Sequence, residues 1–287
     1  MEIENIILDF DGTLTNLEKE VHPMSIKRDE LFSEKTGFPY EKLKEEINKI
    51  SREVKNDSSQ GWKDGEEIVA RADADPHSFR NVIYQNLLEK LSKNNELEKY
   101  NLPTDKREQF EFLKEIFMES LPYARTSFRE GEKATSQFLD ELTKNYNVSI
   151  VTNSKKDPVI NRLSKLRKPF PLEIEEDAKK YKLDDSMNEI PKEYTPSHFP
   201  RPVTLRRKKY KETLDKLKEN KNFQPENTSV IGDIFELDLA LPEYLDYNII
   251  QIHTPNVKDY EIKHHQDSKN NFYAENYNQI LNYLKEK

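Results

Sequence analysis

The sequence contains no cysteine among its 287 residues. Disulfide bonds, thiolate nucleophiles and zinc-finger sites are therefore excluded, and the absence suits a reducing compartment. No window approaches about 18 consecutive apolar residues, so we expect no membrane span and no membrane partner. The opening MEIENIILDF lacks the basic and long apolar regions of a secretory signal. We therefore predict a cytoplasmic protein.

Positively charged residues are fewer than negatively charged ones. The chain has 46 Lys and Arg against 54 Asp and Glu, for a net charge of -8. Non-specific nucleic-acid binding requires a basic face, so we expect no nucleic-acid partner. Hydrophobic residues make up only 34% of the chain, but they cluster in short runs and periodic stripes. That clustering indicates a folded protein with a charged surface rather than a disordered one.

Short apolar runs of the strand type alternate with helical patterns. The runs are IILDF (6–10), VSIVTN (148–153), PLEIEE (171–176), SVIGD (229–233) and NIIQIHT (248–254). Helical patterns lie at 132–146, 157–166, 208–220 and 275–286. This alternation predicts an α/β protein with a Rossmann-like parallel sheet, whose ligands bind at the carboxyl ends of the strands.

Residues 16–128 contain no strand-like run. Apolar residues recur there at helical spacing in 41–54, 79–91 and 107–121. So long a segment is not an ordinary connection. We therefore predict two domains: an α/β core formed by 1–15 and 129–287, and an inserted all-helical domain formed by 16–128. A proline-rich segment, 188–202, is predicted to be a surface excursion.

Polar residues follow three of the predicted strands and would meet at one edge of the sheet. They are Asp9 and Asp11 after the first run, Thr152, Asn153 and Ser154 after the second, and Gly232 and Asp233 after the third. Converging carboxylates repel one another unless a cation lies between them. Hard oxygen ligands favour Mg²⁺, which usually keeps waters and shares a phosphate oxygen. The pattern predicts a magnesium site with a phosphorylated ligand.

The use of glycine supports a site at this edge. The chain has only six glycines, and Gly12 and Gly232 lie beside the aspartates. Glycine allows a sharp turn and the close approach of a ligand. A single Asp-Gly is more often a plain turn, and a single hydroxyl after a strand is most often a helix cap. The joint placement of these residues favours a functional site.

Three of these stretches resemble motifs of the haloacid dehalogenase-like hydrolase superfamily. DFDGTLT (9–15) resembles its first motif, IVTNS (150–154) its second and VIGDIFELD (230–238) its fourth. The position and helical character of the inserted segment are similar to those of that superfamily's C1-type cap. The resemblance implies a capped phosphatase, in which the cap closes over the site and selects the substrate.

The resemblance also implies roles for individual residues. Asp9 would be the nucleophile that forms an aspartyl-phosphate, and Asp11 would be the general acid and base. Asp9, the backbone carbonyl of Asp11 and Asp233 would hold Mg²⁺. Asp238 would support the metal's waters or position a lysine.

Phosphate binding would fall to residues of the first two motifs and to a lysine. Thr152 would donate its hydroxyl to a phosphoryl oxygen, with Gly12 and Asn153 beside it. The lysine of the third motif has no clear match. Lys180 is the first candidate and Lys208 the second, while Lys179 stays open.

The predicted function is a Mg²⁺-dependent phosphatase that acts on a small phosphomonoester. An acid at Asp11 favours phosphate chemistry, because an alkyl halide needs no protonation of its leaving group. A phosphomutase or phosphotransferase of the same superfamily is the alternative, and a non-catalytic binding module is a weaker one. Trp62, the only tryptophan, lies in a glycine-flanked stretch (58–67) that either contacts the substrate or packs the inserted domain.

Overall fold

A computed structural model describes residues 2–287 of the chain. The chain divides into two compact units. The first unit contains the chain up to Asn16, Lys63–Ala70 and Ser127–Lys287. The second contains Leu17–Trp62 and Arg71–Thr126. The domain boundaries proposed from the sequence stay a prediction. They differ from these units mainly at Lys63–Ala70, and by one or two residues at Asn16 and at Ser127.

Ten strands occur in the described chain. They are β1 (Asn5–Leu8), β2 (Gly61–Asp64), β3 (Glu67–Arg71), β4 (Asn147–Val151), β5 (Glu173–Glu175), β6 (Glu193–Tyr194), β7 (Val203–Thr204), β8 (Thr228–Gly232), β9 (Asn248–Ile252) and β10 (Asn271–Ala274). Six of them form one sheet in the order β10-β9-β8-β1-β4-β5. Every pairing in this sheet is parallel. The predicted parallel α/β sheet is therefore confirmed.

Ten α-helices accompany these strands. They are α1 (Leu17–Thr36), α2 (Tyr40–Lys55), α3 (Pro76–Lys93), α4 (Lys106–Ser120), α5 (Glu132–Asn145), α6 (Lys156–Leu163), α7 (Lys208–Lys221), α8 (Ala240–Tyr244), α9 (Asp259–Gln266) and α10 (Tyr277–Glu286). A π-helical turn, Phe235–Leu239, precedes α8. Within residues 2–287, no helix is long and apolar enough to cross a membrane.

Two apolar clusters hold the first unit together. One contains Phe138, Leu139 and Leu142 of α5, which bury the face that the helical spacing predicts. The other contains Leu214 and Leu217 of α7. Because β1 and β8 contribute alternate side chains to both clusters, the sheet is covered on both faces. Polar side chains that bind a ligand therefore have to lie at the ends of the strands.

The second unit is mainly helical, with α1 to α4 packed around a cluster that includes Phe32, Leu87 and Ile116. The prediction that 16–128 is all helical is wrong at one place, because β2 and β3 pair as a two-stranded hairpin. A two-residue loop that begins with Gly65, at a φ of +62°, joins them. An Asp-Gly pair before a short apolar run is a hairpin signal, but the long helical patterns on either side obscured it.

The proline-rich segment 188–202 is less superficial than the sequence predicts. Ile190 and Phe199 are buried in the core of the first unit. β6 pairs with β7 in antiparallel fashion at the end of this segment. Prolines therefore prevent regular structure here without keeping the segment on the surface.

Candidate functional site

The ends of β1 and β8 bring two aspartates to the same edge of the sheet. Leu8 of β1 is paired with Ile231 of β8, and the backbone N–H of Asp9 donates to the Ile231 carbonyl at 2.9 Å. Asp9 and Asp233 come directly after these strands, where the apolar pattern ends. The strand register therefore fixes the two carboxylates side by side.

A third carboxylate joins them from the π-helical turn. Asp9, Asp233 and Asp238 each have a carboxylate oxygen within 4.8 Å of the others, and all three residues are buried. We call these three residues the acidic cluster. The Thr13 hydroxyl contacts two of its members, with its oxygen 3.1 Å from Asp9 Oδ2 and 3.4 Å from Asp233 Oδ1.

Two glycines make room for the acidic cluster. A Cβ at Gly12 would lie 2.2 Å from Asp233 Oδ2, and a Cβ at Gly232 would lie 2.5 Å from the Asp238 Cβ. Gly12 also has a φ of +89°, which other residues rarely adopt. The sequence suggested that these glycines admit a ligand. In the structure each of them admits a carboxylate from another part of the chain.

Lys180 lies among these carboxylates. Its Nζ is 2.7 Å from Asp9 Oδ1 and 2.9 Å from Asp238 Oδ1, and the side chain is 1% exposed. Burial opposes its charge, but the carboxylates of Asp238 and Asp9 outweigh burial and raise the pKa of Lys180. Lys180 therefore stays an ammonium and bridges two of the three acids.

The chemistry of this donor set fits a divalent cation. Three buried carboxylates against one ammonium leave two negative charges when all four groups are ionised. Burial raises the pKa of Asp9, and the positive charge of Lys180 lowers it. Burial prevails, so the pKa of Asp9 is about 7, well above its usual value. A cation held by oxygen atoms of Asp9 and Asp233 would remove this penalty, and hard oxygen ligands suit Mg²⁺.

Asp11 stands apart from the acidic cluster although it is only two residues from Asp9. Its Oδ2 accepts from Ser154 Oγ at 2.6 Å and from Thr152 Oγ1 at 3.2 Å. Its Oδ1 accepts from Arg162 Nη1 at 2.6 Å. The end of β4 and helix α6 therefore hold Asp11, whereas β8 and the π-helical turn surround Asp9.

The structure separates the three candidate lysines. Lys180 lies against Asp9, and its backbone N–H donates to Asn153 Oδ1 at 2.7 Å, which ties the lysine to the end of β4. Lys179 is exposed, with its Nζ 3.9 Å from Asp177. Lys208 is also exposed, and its Nζ lies 3.8 Å from Asp184. Of the three, only Lys180 contacts the acidic cluster.

Two further residues that the sequence did not single out hold Lys180 in place. Arg207 is fully buried and donates to the carbonyls of Lys180, Val69 and Glu236. Tyr210 donates to the Asp238 carbonyl at 2.7 Å, and Lys180 Nζ lies 5.3 Å from the centre of its ring. Both residues sit at the start of α7 in a lysine- and arginine-rich stretch. The only sequence signal was that Tyr210 falls on the apolar face of that helix.

No protein-family model matches the chain, and a search of curated proteins finds no match. Among solved structures, a haloacid dehalogenase-like family hydrolase from Streptococcus pneumoniae is similar to the chain with a TM-score of 0.51, at 13% identity over 98% of each chain. A 2-haloacid dehalogenase from Pseudomonas syringae gives 0.49, at 16% identity over 99% of each chain. A HAD phosphatase from Thermococcus onnurineus gives 0.48, at 13% identity over 98% of each chain.

Of these three similarities, that to the Streptococcus pneumoniae hydrolase has a TM-score above 0.5. The first similarity extends over nearly the whole chain and agrees with the parallel sheet and with the placement of the three sequence motifs at its edge. The chain therefore has the haloacid dehalogenase-like fold.

Proposed function

We propose that the chain is a Mg²⁺-dependent phosphatase that hydrolyses a small phosphomonoester through an aspartyl-phosphate on Asp9. The observation that carries this proposal is the buried Asp9–Lys180–Asp238 ion-pair chain beside Asp233. In it two buried carboxylates share one buried ammonium, and a third carboxylate lies close enough for all three to hold one cation. A phosphoryl group together with a cation completes such a site.

Asp9 supplies the nucleophile. One of its carboxylate oxygens bonds to phosphorus while the bond from phosphorus to the leaving oxygen breaks. Lys180 holds the ammonium that pairs with Asp9 and with the phosphoryl oxygens, and Thr152 offers a hydroxyl to them. Arg207 and Tyr210 keep Lys180 and Asp238 in position, so the ammonium does not need to reorganise during the reaction.

Asp11 moves the proton. It protonates the leaving oxygen in the first step and then takes a proton from the water that attacks the aspartyl-phosphate. The second step releases inorganic phosphate and regenerates Asp9. Ser154 donates to Oδ2 of Asp11 and so orients this carboxylate. The Thr152 hydroxyl donates to the same oxygen at 3.2 Å and turns to the phosphoryl group when substrate binds.

Mg²⁺ would be held by Asp9 and Asp233, with Asp238 supporting its waters. When bound it neutralises the carboxylates and the phosphate, so that two anions can approach each other. This role follows from the charge excess of the acidic cluster and from its oxygen-only ligands.

The test is the variant Asp9→Asn, assayed on p-nitrophenyl phosphate with and without Mg²⁺. We expect turnover to fall by about 1,000-fold or more, because the amide is not a nucleophile. Circular dichroism and thermal melting should show that the protein stays folded. Asp140→Asn, in which the exposed aspartate of α5 loses its pairing with Lys168, is the matched control and should stay active.

Chelation with EDTA should stop the wild-type reaction, and added Mg²⁺ should restore it. Turnover by Asp9→Asn within about tenfold of wild type would contradict the mechanism. Turnover that is unaffected by chelation would contradict the role of the metal.

A further inference from the structure

Arg162 contacts Asp11, the proposed general acid, but has no role in the proposed mechanism. It lies on α6, and its Nη1 is 2.6 Å from Asp11 Oδ1. Its guanidinium carbon lies 5.8 Å from the centre of the Phe10 ring. The side chains of Arg162 and Asp11 are each 25% exposed. The ion pair is thus anchored on one side and open to solvent on the other.

Both oxygens of Asp11 are occupied in this arrangement. Oδ2 accepts from Ser154 and Thr152, and Oδ1 accepts from Arg162. A leaving-group oxygen must share a proton with one of these two oxygens. Thr152 and Ser154 lie just after β4, their side chains are short and Thr152 is buried, so these two contacts have little freedom. Arg162 has a long, partly exposed side chain, so its contact with Oδ1 is the one that can open.

We propose that Arg162 determines specificity for phosphomonoesters that carry a carboxylate in the leaving group, and that binding this carboxylate frees Oδ1 of Asp11. The inference rests on the proposed phosphatase function. A substrate carboxylate replaces the Asp11 carboxylate as partner of the guanidinium, so Arg162 exchanges one ion pair for another. A substrate with a neutral hydroxyl at that position offers Arg162 no negative charge, so the ion pair between Arg162 and Asp11 stays intact.

The geometry of the guanidinium favours a carboxylate as the second anion. An arginine offers a planar fork of N–H donors that matches the two oxygens of a carboxylate. Its partial exposure lets a ligand reach it while Phe10 limits where it can move. A substrate of this class also brings its negative charge to the side of Asp11 on which the guanidinium lies.

The experiment compares 3-phosphoglycerate with glycerol 3-phosphate, which carries a hydroxymethyl group in place of the carboxylate. For the wild type we expect kcat/KM to favour 3-phosphoglycerate by about 10- to 100-fold, the range of one charge-assisted contact. In Arg162→Met this preference should fall to near unity, mainly through a higher KM for 3-phosphoglycerate. Arg162→Lys keeps the charge without the fork and should restore part of the preference.

Lys165→Met, at an exposed position just after α6, is the control and should keep the wild-type preference. The inference is overturned if the wild type hydrolyses both substrates equally well. It is also overturned if Arg162→Met slows both by the same factor, because Arg162 would then only hold Asp11 in place.

Calorimetric binding in the Asp9→Asn background gives a readout that does not need turnover. We expect 3-phosphoglycerate to bind about tenfold or more weakly when Arg162→Met is added, and equal affinities would overturn the inference. A wild type that turns over no phosphomonoester would contradict the proposed function alone. Selective binding of 3-phosphoglycerate through Arg162 would still support the recognition site.

Discussion

Two buried polar clusters of the first unit look alike in composition but differ in charge balance. The acidic cluster sets Asp9, Asp233 and Asp238 against the single ammonium of Lys180. The second cluster lies between α8, α9 and β10, and we call it the histidine cluster. Its members are Glu243, Gln251, His264, His265 and Asn271.

In the histidine cluster one carboxylate has many donors. Glu243 accepts from His264 Nε2 at 2.7 Å and also from Asn271 and Tyr194. Burial opposes its charge, but the hydrogen bonds from His264 and the other donors outweigh burial and lower the pKa of Glu243. Burial likewise opposes the charge of Asp9, and there it prevails and raises the pKa to about 7.

The contrast shows how a functional cluster can be told from a structural one. Burial acts in the same direction on both carboxylates, so the number of donors for each negative charge decides the outcome. In the histidine cluster Glu243 has three donors, and the cluster joins α8, α9 and β10, although His265 Nδ1 has no hydrogen-bond partner within residues 2–287. In the acidic cluster the ammonium of Lys180 is shared by two carboxylates, with a third carboxylate oxygen within 4.8 Å, and a divalent cation is the partner that we propose for these oxygens.

Apart from the replacement of Asp9 itself, the largest effect is expected when the ammonium of the acidic cluster is removed. Lys180→Met leaves Asp9 and Asp238 facing each other without a cation between them, and it removes the donor proposed for the phosphoryl oxygens. We expect kcat/KM for p-nitrophenyl phosphate to fall by about 100-fold or more. Steady-state kinetics at saturating Mg²⁺ would measure the change.

Lys208→Met provides the comparison, because Lys208 was the second candidate for the lysine of the third motif. Its side chain is 53% exposed, and its Nζ lies 3.8 Å from Asp184, away from the acidic cluster. We expect activity within about twofold of wild type. Equal losses in the two lysine variants would show that the contacts of Lys180 do not matter for the reaction.

An intermediate effect is expected at the glycine that admits Asp233. Gly12 and Gly131 have nearly the same φ, +89° and +86°, but only at Gly12 would a Cβ meet another residue within 4 Å. Each alanine substitution should cost about 1–2 kcal/mol of unfolding free energy for the left-handed backbone. Gly12→Ala should cost more and should also displace Asp233.

Urea unfolding would separate the two contributions. Both variants carry the cost of a positive φ, so a larger loss in Gly12→Ala than in Gly131→Ala is expected from the contact with Asp233. Only Gly12→Ala should also weaken the stabilisation by Mg²⁺ in thermal melting. If the two variants have the same stability and the same response to Mg²⁺, Gly12 is not needed to bring the carboxylates together.

The sequence predicted the buried strands of the core better than the short strands elsewhere in the chain. The five apolar runs all became strands of the parallel sheet. Four of them are buried strands rich in Val, Ile and Leu, as burial on both faces requires, whereas β5 is short and only partly buried. β10, with the sequence NFYA, was missed, since its four residues show no run of that type. The β2–β3 hairpin was missed for a similar reason, as its strands are short and only partly buried.

The same limit applies to the site. Asp9, Asp11 and Asp233 could be placed because each directly follows a recognisable strand. Arg162 could not, since 151 positions separate it from Asp11 and a helix offers many equivalent basic residues. Lys180 was one of several basic residues in its region, and only the folded loop shows which of them reaches the carboxylates.

The smallest effect is expected in the histidine cluster, and it concerns stability rather than activity. Burial, and then the charge of neighbouring His264, lowers the pKa of His265 from 6.5 to about 3. The folded protein therefore keeps His265 neutral, whereas the unfolded chain takes up a proton below about pH 6.5. The contribution of His265 to the unfolding free energy is fully present above about pH 6.5. It is lost as the pH falls towards the pKa of the folded state, at up to about 1.4 kcal/mol per pH unit.

His265→Gln should reduce this slope, because glutamine keeps a donor for Gln251 but has no group that titrates. The measurement is the unfolding free energy in urea at several values between about pH 7 and pH 5. His253→Gln, at an exposed histidine, should leave the slope as in wild type. If His265→Gln and wild type lose stability equally on acidification, another group controls the pH response. The neutral, buried His265 of the histidine cluster would then not explain the loss of stability at low pH.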